Sequence, residues 1–209
     1  RIAEDLGFEL AFMAGSTASA TVLGAPDLVV MTLTEFAEQI HRICRAANIS
    51  LIVDADHGYG NALNVKRTVE ELETAGLAGL TIEDTVLPQS FGKAKGEELI
   101  SLEEGVGKMK AALAGRQDPN LVIISRTGAL RTEGVDGTVR RAKAYEQAGV
   151  DALWLAGGVT REGLSALHAA VRLPILMGGG GGDLTDEFLT ANGVRVAHQG
   201  HLPLAGAVK

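Results

Sequence analysis

The chain has 209 residues, of which 46% are hydrophobic, 22% are charged and 27 are glycine, and this composition excludes a disordered protein. The net charge of −7 argues against nucleic acid as a partner, because phosphate binding requires a basic surface. No run of about 18 apolar residues occurs, so neither a membrane span nor a membrane partner is expected. A single cysteine, Cys44, excludes an internal disulfide and suits the cytoplasm, and no signal peptide is visible.

Short apolar runs alternate with amphipathic segments along the whole chain. The predicted strands are Glu9–Ala14, Leu51–Asp54, Gly79–Glu83, Leu121–Arg126, Ala152–Ala156, Pro174–Met177 and Val194–Ala197. The predicted helices between them are Thr34–Ala47, Leu63–Ala75, Leu102–Ala114, Val135–Ala148, Arg161–Val171 and Leu184–Ala191. Several strand runs are continuously apolar, which is typical of parallel strands that are covered on both faces.

The rhythm of these elements indicates an α/β fold. Three helices end on a glycine, Gly76, Gly149 or Gly193, just before a strand, as expected of repeated βα units. Parallel strands joined by helices close into a barrel at eight. We therefore predict a single (β/α)8 TIM barrel domain over residues 1–209, with the first strand and most of the last helix missing from this sequence. A doubly wound open sheet is the alternative.

Acidic residues follow two neighbouring predicted strands, at the end of a barrel where function gathers. Asp54 and Asp56 alternate along an extended segment after the second strand, so both can point the same way, and Glu83 ends the third strand. Such a cluster would repel itself, and a hard cation with oxygen ligands such as Mg2+ removes that repulsion. Asp27 could add a fourth carboxylate. The alternative is that these acids cap helices or pair with lysines.

Further polar residues at the strand ends are candidates for binding or catalysis. Arg126 ends a buried strand, so it either pairs with the acidic cluster or receives a substrate carboxylate. Gly15, Ser16 and Thr17 follow the first strand and offer hydroxyl and backbone N–H groups for an oxyanion, although Ser16 could equally be a helix N-cap. Tyr59 either closes over the site or packs against it.

The motif Asp54-Ala-Asp-His-Gly-Tyr-Gly-Asn61 resembles the DxDxGYGN motif of the isocitrate lyase/phosphoenolpyruvate mutase superfamily, a group of metal-binding barrels. The resemblance covers essentially the whole chain. The other matching segments follow in the family's order: Gly15-Ser16-Thr-Ala-Ser19, Pro26-Asp27, Ile82-Glu83-Asp84 and Ser125-Arg126-Thr127. The chain is most similar to the oxaloacetate decarboxylase branch, on the segments Asp54–Asn64, Thr81–Thr85, Glu103–Gly107 and Gly200-His201.

That resemblance implies a Mg2+-dependent lyase (Mn2+ possible) that decarboxylates oxaloacetate, a small 2-oxo acid, to pyruvate through a metal-stabilised enolate. It implies that Asp54 contacts the metal directly and that Asp27, Asp56 and Glu83 hold its waters. It also implies that Ser16, Arg126 and His201 bind or polarise the substrate, and that His201 is a candidate for protonating the enolate. Homo-oligomers, tetramers in particular, are expected from the same family.

Departures from the family pattern keep other functions open. Isocitrate and methylisocitrate lyases carry a catalytic cysteine in the loop that here reads Pro88–Glu97 without one, which argues against those activities. Gly128 and the run Gly178–Gly182 replace polar residues of the decarboxylases. The alternatives are another 2-oxo or 2-hydroxy acid lyase of the superfamily and a non-catalytic barrel that binds a carboxylate. A third interpretation is that the run Gly178–Gly182 binds the phosphate group of a sugar-phosphate substrate.

Overall fold

The structure is a computed structural model that describes residues 1–92, 98–179, 182–198, 200 and 206. The strands in these ranges are β1 (Leu10–Met13), β2 (Ser50–Asp54), β3 (Gly79–Glu83), β4 (Val122–Thr127), β5 (Ala152–Leu155), β6 (Ile175–Gly178) and β7 (Val194–His198). The helices are α1 (Ile2–Asp5), α2 (Gly15–Ala18), α3 (Leu33–Ala46), α4 (Ala62–Thr74), α5 (Leu102–Gly115), α6 (Ala129–Thr132), α7 (Gly134–Ala148), α8 (Arg161–Ala170) and α9 (Asp186–Ala191), with a π-helical segment at Ser19–Leu23. None of the described helices has both the length and the apolar character needed to cross a membrane.

The strands form one parallel sheet whose spatial order, β1 to β7, is also the order along the chain. A doubly wound sheet would reverse its order at a switch point, so this order excludes the open-sheet alternative. The two outer strands curve toward each other, since the ring of Phe12 on β1 lies 5.2 Å from that of His198 on β7. The predicted α/β barrel is therefore confirmed as a nearly closed, seven-stranded parallel sheet.

The barrel interior is an apolar cluster formed by residues at alternate positions of the strands. Its buried members are Ile52, Ile124, Ala152, Trp154 and Leu176, with Leu10, Phe12, Val122 and Val196 packed against them. The intervening residues face the helices instead, as Leu51 and Val53 do in the cluster that contains Phe36 and Ile40 of α3. Since side chains alternate along a strand, Asp54 lies on the same inner face as Ile52.

Local sequence explains where the longer helices begin and end. Thr32 and Glu35 form a reciprocal capping box at the start of α3, so two otherwise unpaired N–H groups are satisfied. Gly76, Gly149 and Gly193 have φ angles of 98°, 101° and 80°, the left-handed conformation expected where a helix stops before a strand. The strand and helix predictions are confirmed to within a few residues. The short helices α2 and α6 and the π-helical segment were not predicted, because four or five residues show no helical periodicity.

Candidate active site

The carboxyl ends of β2, β3 and β4 bring two acids and one arginine together on the inner face of the barrel. Glu83 pairs in register with Arg126, and the side chain of Asp54 reaches the same point from β2. One Arg126 N–H donates to Asp54 Oδ2, and Nε lies 3.5 Å from Glu83 Oε2. Of the two readings of Arg126, the described residues therefore show the pairing with the acidic cluster.

Electrostatics stabilise the charged form of Arg126 at this position. Its side chain is only 23% exposed, and burial by itself disfavours the charge. The carboxylates of Asp54 and Glu83 outweigh burial and raise the pKa of the guanidinium. Arg126 thus stays a cation that holds two carboxylates from neighbouring strands.

Hydroxyl groups fix the two acids beside Arg126. Thr81 Oγ1 donates to Asp54 Oδ1 over 3.1 Å, and Thr85 Oγ1 donates to Glu83 Oε2 over 3.1 Å. Glu83 is 6% exposed, and burial raises its pKa although Arg126 acts in the opposite direction. The acids are therefore held in place by donors on β3 and just after it.

Asp56 is the most perturbed acid of the cluster. Its φ angle is 48°, and its backbone N–H donates to Asp54 Oδ1 over 3.2 Å, so both aspartates belong to one tight turn. Burial is the largest cause that raises the pKa of Asp56 to about 8, followed by the charges of Asp54, Glu83 and Asp27. Asp27 itself is exposed, yet it is close enough to act on Asp56.

The charge balance of this cluster bears on whether a metal fits. After burial, the charges of Asp54, Glu83 and Asp27 raise the pKa of Asp56 and Arg126 opposes them, so a divalent cation would relieve the repulsion among these four carboxyl groups. In the described part of the chain, no three or more His, Cys, Asp and Glu side chains form a group that could hold a metal ion by direct contact. Carboxylate oxygens are ligands for hard cations such as Mg2+, which usually keeps several waters beside one or two carboxylates.

The end of β1 packs directly against Asp56. Ala14 is the N-cap of α2, so Gly15, Ser16 and Thr17 form its first turn, and the reading of Ser16 as the N-cap is wrong. A Cβ atom at Gly15 would lie 3.2 Å from Asp56 Oδ1, which means that only glycine leaves this carboxylate its present space. Of the predicted substrate-binding residues, Gly15 thus lies against Asp56, and Ser16 and Thr17 follow it in α2.

Tyr59 packs beneath the turn that follows Asp56. Its ring centroid lies 6.4 Å from that of Phe36 and 6.3 Å from that of His57, among side chains that contact the main core. Burial, and then the charges of Asp56 and Asp54, raise the pKa of its hydroxyl. Of the two readings of Tyr59, the geometry favours packing, and its catalytic role stays a prediction.

Two predicted features include residues that the structure does not describe. His201 lies outside the described residues, and so do Gly180 and Gly181 of the glycine run. Gly178 is the last residue of β6, and the N–H of Gly179 donates to the carbonyl oxygen of His198 over 2.7 Å. The roles predicted for His201 and for the run therefore remain predictions.

Sequence reasoning missed an aromatic group in the barrel interior. Phe12 stacks on Trp154 with ring centroids 4.7 Å apart, and the ring of His198 lies 5.0 Å from that of Trp154. Trp154 pairs in register with Arg126, so the two residues occupy neighbouring positions on β5 and β4. The signal was present, because period-two alternation on β5 puts Trp154 on the inner face.

Asp84, the neighbour of Glu83, points to the opposite side of β3. Its Oδ2 accepts hydrogen bonds from Thr127, Arg141 and Tyr145 at 2.9, 3.2 and 2.7 Å. Arg141 also donates to Glu133 and to the carbonyl oxygen of Ile100. This buried network lies between the sheet and α7, and it joins strand β3 to the helix layer without touching the inner face.

A comparison with known families decides between the classes that this geometry allows. The sequence model described as phosphoenolpyruvate phosphomutase matches residues 1–209. The chain belongs to the phosphoenolpyruvate mutase/isocitrate lyase superfamily. This family membership was predicted from the Asp54–Asn61 motif, and it is confirmed.

Members of the superfamily resemble the chain over nearly all of its length. Oxaloacetate decarboxylase of Bradyrhizobium diazoefficiens is 60% identical over 210 residues, which span 100% of this chain and 73% of that protein. A solved structure of oxaloacetate acetylhydrolase with the inhibitor 3,3-difluorooxalacetate matches 99% of this chain and 73% of its own, with a TM-score of 0.88 and 30% identity. Phosphonopyruvate hydrolase in complex with oxalate and Mg2+ matches the same shares with a TM-score of 0.84 and 31% identity.

Proposed function

We propose that this chain is a Mg2+-dependent lyase that decarboxylates oxaloacetate to pyruvate. The observation that carries the proposal is the placement of Arg126 between Asp54 and Glu83 on the inner rim, in a chain 60% identical to an oxaloacetate decarboxylase along its whole length. Oxaloacetate carries two carboxylates, which the acidic cluster alone would repel. Arg126 provides a guanidinium beside that cluster, and its ion pairs hold it in place.

The acidic cluster is the proposed place for the metal. Asp54 would contact Mg2+ or Mn2+ directly, and Asp27, Asp56 and Glu83 would hold its water molecules. Support comes from the burial of Asp56 and the repulsion by neighbouring acids, which together raise its pKa, and from a structural relative that contains Mg2+. When bound, the ion supplies positive charge next to the oxygen on which negative charge develops as the carbon–carbon bond breaks.

The remaining candidate residues would bind and orient the oxo acid. Arg126 uses only part of its five N–H donors on Asp54 and Glu83, so it can also bind a carboxylate of the substrate. The first turn of α2, with Gly15, Ser16 and Thr17, supplies backbone N–H and hydroxyl donors on the other side. We assign His201 to proton donation toward the product carbon, and Tyr59 to supporting the turn after Asp56 through its packing against Phe36.

Pyruvate release from oxaloacetate tests the proposal, measured by a coupled dehydrogenase with and without a chelator and corrected for the reaction without enzyme. We expect chelation to abolish turnover and Arg126→Gln to lower kcat/KM by about a hundredfold or more, since it removes a charge-assisted contact. Arg42→Gln is the matched control, because Arg42 is an exposed arginine that pairs with Glu38 one turn away on its own helix. Turnover that survives both chelation and Arg126→Gln would refute the assignment.

A second candidate is another carbon–carbon lyase of the superfamily. It is favoured by the structural match to oxaloacetate acetylhydrolase, for which a complex with the product oxalate is known. Release of oxalate instead of pyruvate from oxaloacetate would establish that reaction. Binding of oxalate with Mg2+ but without any product from 2-oxo acids would establish the non-catalytic alternative.

We also propose that residues 1–209 act as one domain, and that the enzyme is a cytoplasmic homo-oligomer, a tetramer by family resemblance. The continuous sheet from β1 to β7 supports a single domain, and the single cysteine is compatible with the cytoplasm. Exposed apolar side chains, among them Phe8, Leu28 and Val30, support association with other subunits. Light scattering of the purified protein tests the oligomeric state.

A further inference from the structure

The turn that carries the acidic cluster has an unusual backbone. Residues 54–61, called the aspartate loop below, contain Asp56, Gly58, Tyr59 and Gly60 with φ angles of 48°, 76°, 61° and 146°. Non-glycine residues rarely adopt positive φ values, and they keep them only where surrounding contacts hold the backbone. The position of Asp54 and Asp56 therefore depends on what holds this loop.

Three successive carbonyl oxygens of the aspartate loop are bound from three different elements. The N–H of Glu83 on β3 donates to Asp56 O over 2.8 Å. Lys108 Nζ on α5 donates to His57 O over 2.9 Å, and Thr68 Oγ1 on α4 donates to Gly58 O over 3.0 Å. The loop is thus fixed to the sheet and to two helices at once.

Lys108 is the unexpected member of this set. It is 3% exposed, whereas lysine is almost never fully buried unless its amine has a partner. Burial lowers the pKa of Lys108, and the carboxylates of Glu104, Glu83 and Asp84 counteract burial and favour its charged form. A methionine would fill the same space without the cost of burying an amine. Packing therefore does not explain the lysine at this position, and what distinguishes it from an apolar side chain is the hydrogen bond to His57 O.

We infer that Lys108 is a positioning residue that holds the aspartate loop in the conformation in which Asp54 would contact the metal and Asp56 would hold its waters. The inference rests on the proposed function, because it concerns the same metal site. Lys108 acts through the backbone at His57, one residue from Asp56.

Metal binding by the metal-free protein tests the inference without any use of turnover. In Lys108→Met, we expect the dissociation constant for Mn2+, followed by electron paramagnetic resonance, to rise by about tenfold, the lower end of the effect of residues that support metal ligands. Coulomb's law alone predicts the opposite sign, because the substitution removes a positive charge near a cation site. The direction of the change therefore separates positioning from simple charge effects.

Two control variants complete the design. Lys110→Met makes the same substitution two residues away on α5, at an exposed position, and should leave Mn2+ binding unchanged. Leu167→Ala removes a fully buried side chain from the separate cluster around α8, so it lowers stability without touching the aspartate loop. A loss of affinity in Leu167→Ala as large as that in Lys108→Met would overturn the inference, because stability alone would then explain it.

The remaining outcomes each decide the question. Unchanged or tighter Mn2+ binding by Lys108→Met, with the wild-type chain binding Mn2+, would overturn the inference and leave the proposed function standing. Absence of Mn2+ binding by the wild-type chain would overturn the proposed function and this inference with it. If Lys108→Met does not fold, Thr68→Val removes the donor to the neighbouring carbonyl, and we expect weaker Mn2+ binding there too; unchanged binding would count against loop positioning.

Discussion

The raised pKa of Asp56 predicts that the metal-free protein is destabilised by its own candidate metal site. A carboxyl group whose pKa is higher in the folded chain binds more protons there than in the unfolded chain. Its contribution to stability is therefore most favourable below the ordinary value of 3.8 and is lost as the pH rises toward about 8. Asp56→Asn removes the titration while keeping the shape, and asparagine tolerates the left-handed φ of 48° at this position.

The magnitude follows from the distance between the two pKa values. Each unit of pKa difference corresponds to about 1.36 kcal/mol, so the ceiling for one group at about pH 7 is about 4 kcal/mol. Because Asp54 and Glu83 share the repulsion with Asp56, we expect Asp56→Asn to raise the free energy of unfolding of the metal-free protein by about 2–4 kcal/mol at about pH 7.5. Near about pH 4 the difference should nearly vanish.

Urea unfolding in the presence of a chelator, repeated from about pH 4 to about pH 8, measures this effect. The wild-type protein should lose stability across the range, and the loss in Asp56→Asn should be clearly smaller. Glu9→Gln removes one acidic charge at an exposed position and serves as the control for net charge. Added Mg2+ should stabilise the wild-type protein far more than Asp56→Asn. Equal pH slopes for wild type and Asp56→Asn would refute the reasoning.

Two other substitutions test separate parts of the structure. Tyr145→Phe removes the 2.7 Å hydrogen bond to Asp84, and we expect a loss of about 1–2 kcal/mol in urea unfolding with the Mg2+ dependence of turnover unchanged; an altered Mg2+ dependence would show that the outer network reaches the site. Gly15→Ala introduces a Cβ atom 3.2 Å from Asp56 Oδ1, and it should weaken Mg2+ binding in calorimetry severalfold while unfolding stays near the wild-type value. Unaltered Mg2+ affinity would mean that Asp56 can move without consequence.

Most of the fold could be predicted from the sequence, because strands and helices each give a characteristic spacing of apolar residues along the chain. The strands of a barrel are covered on both faces, so β5 is an unbroken apolar run and β3 is buried at every position, and the helices between strands show one apolar face. Glycine marked the ends of α4 and α7 for a backbone reason that needs no tertiary information. Closure of the sheet, in contrast, depends on contacts such as that between Phe12 and His198, which no local pattern reveals.

The candidate site could likewise be predicted only in part from the sequence. Asp54, Glu83 and Arg126 could be predicted to converge, since the carboxyl ends of neighbouring parallel strands meet at one edge of the sheet. Lys108 was missed, because a lysine within a helix is normally read as part of its exposed face. Its spacing from Gly105 and Ala112, three and four residues away on the buried face of α5, was the available signal.

The neighbouring acids Glu83 and Asp84 show why residue type alone does not identify a site. Successive side chains of a strand point to opposite faces, so Glu83 reaches Arg126 in the barrel while Asp84 bonds to Tyr145 and Arg141 toward α7. Both acids are buried and both have a raised pKa caused first by burial. The two acids differ in their partners. Asp84 accepts three hydrogen bonds on one oxygen, whereas Glu83 shares the guanidinium of Arg126 with Asp54. A binding site therefore lies on the face where the acids outnumber their cations, because only there does an arriving cation lower the electrostatic energy.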